Sequence, residues 1–221
     1  MKVIIFDLDD TLYDEFTFVK SGFMEVSKFL YDKYRVSQKE TYDFMINRLK
    51  QGRNNIFDDL LLQNKIHSKN LIKSCISVYR THIPNIKLES EVVCSLGKLK
   101  NYSKYILTDG NKMVQNNKIR SLGLKNYMNG IILTSNYGLK NVKPSPYCFL
   151  KICKLENIEP KNALYIGDNP HKDFVEIKPL GFKTIRILRG QYKTLKLSKK
   201  YEADFFINSL KEITPKLLSE I

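Results

Sequence analysis

Three short stretches of the chain concentrate acidic and hydroxyl side chains immediately after apolar runs. The first is Asp7-Leu8-Asp9-Asp10-Thr11, the second Thr108-Asp109-Gly110-Asn111, and the third Gly167-Asp168 followed by Asp173. A lysine, Lys143, precedes Pro144 in a further loop. Carboxylates gathered in one place repel one another unless protons or a cation neutralise them. An oxygen-rich, histidine-poor set suits a hard cation, Mg2+ rather than Zn2+. Magnesium held by few protein ligands keeps coordination positions for a substrate phosphate. Lys143 and the Thr108 hydroxyl would add phosphate contacts. If these loops converge, the chemistry they fit is metal-assisted phosphoryl transfer, with the nucleophile unassigned by residue type alone.

Convergence requires a scaffold, and the pattern supplies one. Val3-Ile4-Ile5-Phe6 is a short β-branched apolar run, the mark of a buried strand. Similar runs occur at 105–108, 131–134, 163–166, 184–187 and 205–207. Between them lie helical patterns: one through Val92, Leu96 and Leu99, one from Lys112 to Leu122 stopped by Gly123, and one capped by Ser145 with Pro146 first. Another is expected after Asp168, ending near Leu180-Gly181, and a last one from Lys211 to Ile221. Strands alternating with helices predict a parallel α/β sheet of Rossmann-like type with right-handed crossovers. In such sheets ligands bind beyond the carboxyl ends of the strands, where all three acidic clusters fall. The stretch after the first strand differs. Phe16, Val19, Phe23, Val26 and Leu30 repeat at helical spacing, Ser37 and Glu40 form a capping-box pair, and Leu71, Cys75 and Tyr79 mark another helix. The expectation is a core of residues 1–14 and 84–221 with an inserted helical domain at 15–83.

The order of the clusters resembles that of the haloacid dehalogenase-like hydrolases. Asp7-Leu8-Asp9-Asp10-Thr11 is similar to the family's first motif, D-x-D-x-T, and Thr108 at a strand end to its second. Lys143-Pro144 resembles the third, and Gly167-Asp168 with Asp173 the fourth. The resemblance covers nearly the whole chain. It implies a phosphatase in which Asp7 is the nucleophile, forming an aspartyl-phosphate. Asp9 is then the general acid and base, its backbone carbonyl also a metal ligand. Asp7, Asp9 and Asp168 hold Mg2+, while Asp173 orients metal-bound water or steadies the lysine. Thr108 and the Asp109 backbone N–H hold the phosphoryl group, Lys143 neutralises it, and Thr11 buttresses the first loop. The inserted helices resemble the family's small cap, which closes over the site and excludes water. Asp109 stands where many relatives carry Asn, a departure of little consequence if that position acts through its backbone. Asp10 reads as structural and His171 as a loop residue.

Three activities fit at this stage: a phosphatase for a small phosphorylated metabolite, another reaction on the same scaffold, and a basic nucleic-acid-binding module. Asp9 argues against dehalogenases, which lack an acid there because halide needs no proton, and against phosphonate hydrolases. A phosphomutase remains open. The net charge of +14, from 37 Lys+Arg against 23 Asp+Glu, raises the nucleic-acid reading. The basic residues are scattered, without aromatic interleaving, and specific nucleic-acid binding is not expected. Cys75, Cys94, Cys148 and Cys153 form no C-x-x-C pair and read as small core residues. No apolar run reaches the roughly 20 residues that span a bilayer, so a cytoplasmic protein without membrane attachment is expected. In the helical insertion, Lys50-Gln51-Gly52-Arg53-Asn54-Asn55 reads as a loop, with Arg53 a candidate for reading the leaving group.

Overall fold

The computed structural model describes residues 1–221. Six strands, β1 (Val3–Phe6), β2 (Ser103–Thr108), β3 (Gly130–Leu133), β4 (Ala163–Gly167), β5 (Lys183–Ile187) and β6 (Phe205–Ile207), form one sheet. Its order is β3-β2-β1-β4-β5-β6. Every pairing is parallel. The chain builds outward from β1 through β2 to β3, then returns to β4 on the other side and builds outward again. The direction reverses between β1 and β4, the topological switch point at which Rossmann-like sheets open a crevice. All four residues of β1 are buried. On one face Val3, Ile5, Tyr105, Leu107 and Tyr165 pack with Cys148, Phe149 and Ile152.

Eight helices complete the chain: α1 (Glu15–Tyr34), α2 (Gln38–Leu49), α3 (Ile56–Gln63), α4 (Lys69–Thr81), α5 (Ser90–Lys98), α6 (Lys112–Ser121), α7 (Tyr147–Leu155) and α8 (Pro215–Glu220). The chain divides into two compact units, residues 1–15 with 87–221, and residues 16–86. The expected divisions at 15 and 83 thus sit one and three residues earlier than those of the compact units. The second unit is purely helical. Its interior is lined by Phe18, Val19, Phe23, Val26, Leu30, Met45, Leu60, Leu71 and Cys75. Arg48 on α2 reaches Asp59 on α3 at 2.6 Å, and the Tyr79 ring lies where a Cβ on Gly22 would stand. No helix is long and apolar enough to cross a membrane.

Several local expectations need correction. The helix expected after Asp168 is only a series of turns with a short 3-10 segment at Lys178–Leu180. Pro179 lacks the N–H and fills the space that a continuous helix would need. The last helix does not start at Lys211: a 3-10 turn at Leu210–Glu212 carries a full capping box on Ser209, and α8 begins afresh at Pro215 with Thr214 as its cap. Pro146 is the cap residue of α7 rather than its first helical residue, with the Ser145 hydroxyl accepting from the Tyr147 N–H at 3.4 Å. Of the four cysteines, Cys94 is exposed on α5 and does not belong to the core.

Candidate active site

The strand ends bring Asp7, Asp168 and Asp173 so close that their carboxylate oxygens lie within 4.8 Å of one another. The Asp7 N–H donates to the Ile166 carbonyl at 2.8 Å, extending the β1–β4 pairing one residue beyond the strand and setting the side chain at the switch point. Lys143 enters this cluster with its side chain fully buried. Its ammonium donates to Asp7 Oδ1 at 2.7 Å, to Asp173 Oδ1 at 2.8 Å and to Tyr165 Oη at 2.9 Å. Tyr165 in turn donates to Asp173 Oδ1 at 3.0 Å, and the Asn169 N–H donates to Asp173 Oδ2 at 2.9 Å. Both oxygens of Asp173 are therefore committed, and of its two expected duties the arrangement displays the steadying of the lysine. The glycine before Asp168 has a steric reason: a Cβ on Gly167 would stand against the Asp173 carboxylate.

The electrostatics of the cluster follow from burial and like charge. Asp168 is pushed up to about 9 by desolvation, with the charges of Asp7 and Asp173 adding to it. Asp7 is raised to about 6, because desolvation outweighs the attraction of Lys143. Burial disfavours the charge on Lys143, yet Asp173 and Asp7 hold its pKa well above the usual lysine value. A divalent metal bound among these carboxylates would displace a proton from the cluster.

Asp9 sits in a second set of contacts. Its Oδ1 accepts from Tyr13 Oη at 2.6 Å and from Lys118 Nζ at 2.7 Å, and its Oδ2 from Gln115 Nε2 at 2.9 Å. Gln115 also donates to Thr108 Oγ at 2.7 Å, tying the first acidic loop to the second. Burial pushes Asp9 up, but Lys118 and the hydrogen bonds of Tyr13 and Gln115 outweigh it and hold the carboxyl below its ordinary value. Thr11 is fully buried with its hydroxyl unpartnered, so it supports the loop by packing and not by a hydrogen bond. Asp10 adopts φ +52°. Its carboxylate accepts from the N–H groups of Glu15 at 3.0 Å and Gln191 at 3.4 Å, a structural role. His171 is exposed and lies edge-on to Tyr192.

Asp109 does more than its backbone would suggest. Its Oδ1 accepts from Thr134 Oγ at 2.6 Å and from the Lys143 N–H at 3.1 Å, and its Oδ2 from Lys172 Nζ at 3.0 Å. The second loop is thereby pinned to the lysine loop through a side chain that the sequence reading discounted. Behind Asp168, Arg186 on β5 donates through Nε to the Asp168 carbonyl at 3.2 Å. The same guanidinium holds Glu202 with both carboxylate oxygens, at 2.9 and 2.7 Å.

Six of the sequence candidates, Asp7, Asp9, Thr108, Asp109, Lys143 and Asp173, are therefore linked by direct contacts or by a single intervening side chain, and the Asp168 carboxylate lies within 4.8 Å of those of Asp7 and Asp173. Arg53 belongs to the helical unit, exposed in the α2–α3 loop. There it lines a cavity of about 420 Å³ with Phe23, Phe57, Tyr79 and Arg80. Sequence reasoning missed Tyr13, Gln115, Lys118, Tyr165, Lys172 and Arg186. Three of these carry a readable signal. Gln115 and Lys118 share a helix face at i, i+3 right after the second acidic loop, and Arg186 is a charge in the middle of an apolar strand that should be buried on both faces.

A model of the haloacid dehalogenase-like hydrolase family matches residues 4–187. The chain is 29% identical over 221 residues to the glyceraldehyde 3-phosphate phosphatase of Methanocaldococcus jannaschii, covering 96% of this chain and 95% of that one. It is 24% identical over 191 residues to the N-acylneuraminate-9-phosphatase of Rattus norvegicus, covering 78% and 76%. Among solved structures, that of a HAD phosphatase from Thermococcus onnurineus shares the fold with a TM-score of 0.62 and 22% identity, over 99% of this chain and 98% of that one.

Proposed function

The chain belongs to the haloacid dehalogenase-like hydrolase family, as a phosphoric monoester hydrolase, and from that premise we propose that it cleaves a small phosphorylated metabolite in the cytoplasm through an aspartyl-phosphate on Asp7. The observation that carries the reading is the pairing of Asp7 with the buried ammonium of Lys143, at 2.7 Å, beside the carboxylates of Asp168 and Asp173. Lys143 keeps Asp7 available as an anion. The phosphorus is attacked by an Asp7 oxygen, and the bond to the leaving oxygen breaks. Asp9 gives its proton to that oxygen, so the alcohol departs neutral. Water then attacks the phosphorus of the aspartyl-phosphate while Asp9, now a carboxylate, takes its proton. Inorganic phosphate leaves and Asp7 is restored. The arrangement seen, with Asp9 ionised against Lys118, corresponds to the base half of this cycle. The Thr108 hydroxyl and the Asp109 N–H are assigned to the phosphoryl oxygens.

The donor set fits Mg2+. All three clustered residues are carboxylates, only one ammonium lies among them, and burial together with the charges of Asp7 and Asp173 raises Asp168 to about 9, a cost that a bound divalent cation would relieve. Because Asp173 is already occupied by Lys143, Tyr165 and Asn169, Asp7 and Asp168 are the two carboxylates left to bind it, with the Asp9 carbonyl as third ligand. Bound there, magnesium supplies neutralisation of Asp7 and of the transferring phosphoryl group. The similarity to phosphatases named for glyceraldehyde 3-phosphate and N-acylneuraminate 9-phosphate supports a triose or sugar phosphate as the substrate class.

The test is phosphate release from an aryl phosphate and a panel of sugar and triose phosphates, with Mg2+ and with excess chelator. Chelation and Asp7→Asn should each abolish turnover. Undiminished activity in either case would refute the mechanism.

A further inference from the structure

Lys143 is assigned to the phosphate, but an ammonium has three N–H donors. All three are spent, on Asp7, Asp173 and Tyr165. Its side chain is wholly enclosed, and two of its three partners are fixed by further hydrogen bonds. Lys143 is thus engaged chiefly with the nucleophile and its neighbours. Lys118 is equally enclosed, with 4% of its side chain exposed and its ammonium on Asp9.

A third lysine differs from both. The Lys172 side chain is 33% exposed. Its ammonium makes one hydrogen bond, to Asp109 Oδ2 at 3.0 Å, leaving two N–H donors for a ligand. Asp109 is itself anchored by Thr134 and the Lys143 N–H, so the tether point is fixed. Its own backbone N–H is the one assigned to the phosphoryl group. After Lys143, Lys172 is the cation whose charge weighs most on Asp7. An asparagine at 109 would present a single acceptor oxygen, the one Thr134 and Lys143 already use, and no charge to hold the lysine. Asp109 and Lys172 thus act as a pair in this chain.

We propose that Lys172 is a phosphate-binding residue, held beside the second acidic loop by Asp109 and donating to a non-bridging oxygen of the substrate phosphoryl group and of product phosphate. This rests on the phosphatase reading above. The probe is inorganic phosphate, titrated into the Mg2+-loaded protein by calorimetry, and tested as an inhibitor of aryl phosphate hydrolysis. Loss of one charge-assisted hydrogen bond predicts phosphate binding weaker by about ten- to a hundredfold in Lys172→Met. KM should rise in step and the melting temperature should stay near wild type. Lys172→Arg should recover most of the affinity, and Asp109→Asn should show part of the loss. Phosphate binding in Lys172→Met within twofold of wild type overturns the assignment and returns the pair to a surface ion pair. So does a fall in melting temperature or kcat at unchanged phosphate affinity. A wild-type protein that neither binds phosphate nor turns over would instead overturn the phosphatase reading as a whole.

Discussion

Magnesium binding should displace a proton from Asp168. The carboxyl is pushed up to about 9 by burial and by the neighbouring Asp7 and Asp173 charges. At pH 7 it stands roughly two units below that midpoint and is almost wholly protonated, whereas a metal ligand must be a carboxylate. Binding at pH 7 should therefore release about one proton, with a minor further contribution from Asp7, raised to about 6. The apparent Kd for Mg2+ should fall roughly tenfold for each pH unit between about 6.5 and 8.5, and level off above 9. Stability follows the same linkage. A carboxyl whose folded pKa lies above its unfolded value of about 3.9 favours the fold while protonated. That contribution is complete below about pH 4 and is lost as pH rises towards the folded value. Metal-free protein should thus melt at lower temperature as pH climbs from 6 to 9, and added Mg2+ should raise Tm most at the alkaline end. Calorimetric titration of Mg2+ in buffers of different ionisation heat counts the protons directly, and Asp168→Asn should remove the release along with most of the affinity. No proton release at pH 7, together with a Kd flat from pH 6 to 8, would show that Asp168 is already ionised and that the cluster is not strained by its own charge.

Three further outcomes are expected. Asp9→Asn should slow hydrolysis of alkyl phosphates by about 10²–10⁴-fold and that of a nitrophenyl phosphate less in the first step, because a good leaving group needs no proton; wild-type rates on both would remove Asp9 from proton transfer. Arg186→Met leaves Glu202 uncompensated, where the two side chains are only 1% and 13% exposed, and should cost about 3–5 kcal/mol in denaturant unfolding. A loss under about 1 kcal/mol would mean that Glu202 is solvated once freed. Arg53→Ala should lower kcat/KM for the preferred substrate by about ten- to a hundredfold and leave a small aryl phosphate nearly unaffected, since every motif residue lies outside residues 16–86; equal losses on both would assign Arg53 to the fold or to the chemistry.

How much of this was legible in the sequence depended on whether the cause was local. A strand buried on both faces reads as an apolar run, so β1 and β4 were visible, and the groups of Asp7 and Asp168 at their ends came with them. Helix bounds were less legible near proline: Pro179 sits in the short 3-10 segment where a full helix was expected, and Pro215 opens α8 afresh inside a stretch that apolar spacing alone ran together. The contacts that tune the site were hidden for another reason. Lys118 meets Asp9 across 109 residues of chain, and Lys172 meets Asp109 across 63. Such pairs arise from the order of strands in the sheet, which periodicity does not encode. Asp109 shows the same limit from the other side: a side chain taken as incidental holds Thr134, the Lys143 backbone and Lys172 together.

The charges of the site and of the whole chain have opposite signs, and both are needed. With Asp168 ionised, as a metal ligand must be, Asp7, Asp9, Asp109, Asp168 and Asp173 meet three ammonium groups, those of Lys118, Lys143 and Lys172, which leaves two negative charges for the cation to balance. One divalent cation removes that deficit. A phosphate dianion approaching the metal-free site would meet net repulsion, and would meet a neutral site once the cation is bound. The surrounding chain carries +14, which raises the local concentration of anionic substrate over distances of about a Debye length, ~8 Å at physiological salt. On the proposed mechanism, attraction at long range is supplied by scattered lysines, while admission to Asp7 waits on the metal. The two act on different steps, and salt separates them. Raising ionic strength should increase KM for a charged phosphate ester by screening the outer field, with little change in kcat, because the ion pairs of Lys143 and Asp7 are enclosed by protein. A fall in kcat parallel to the rise in KM would show that the inner charges are exposed to the same screening and that this division does not hold.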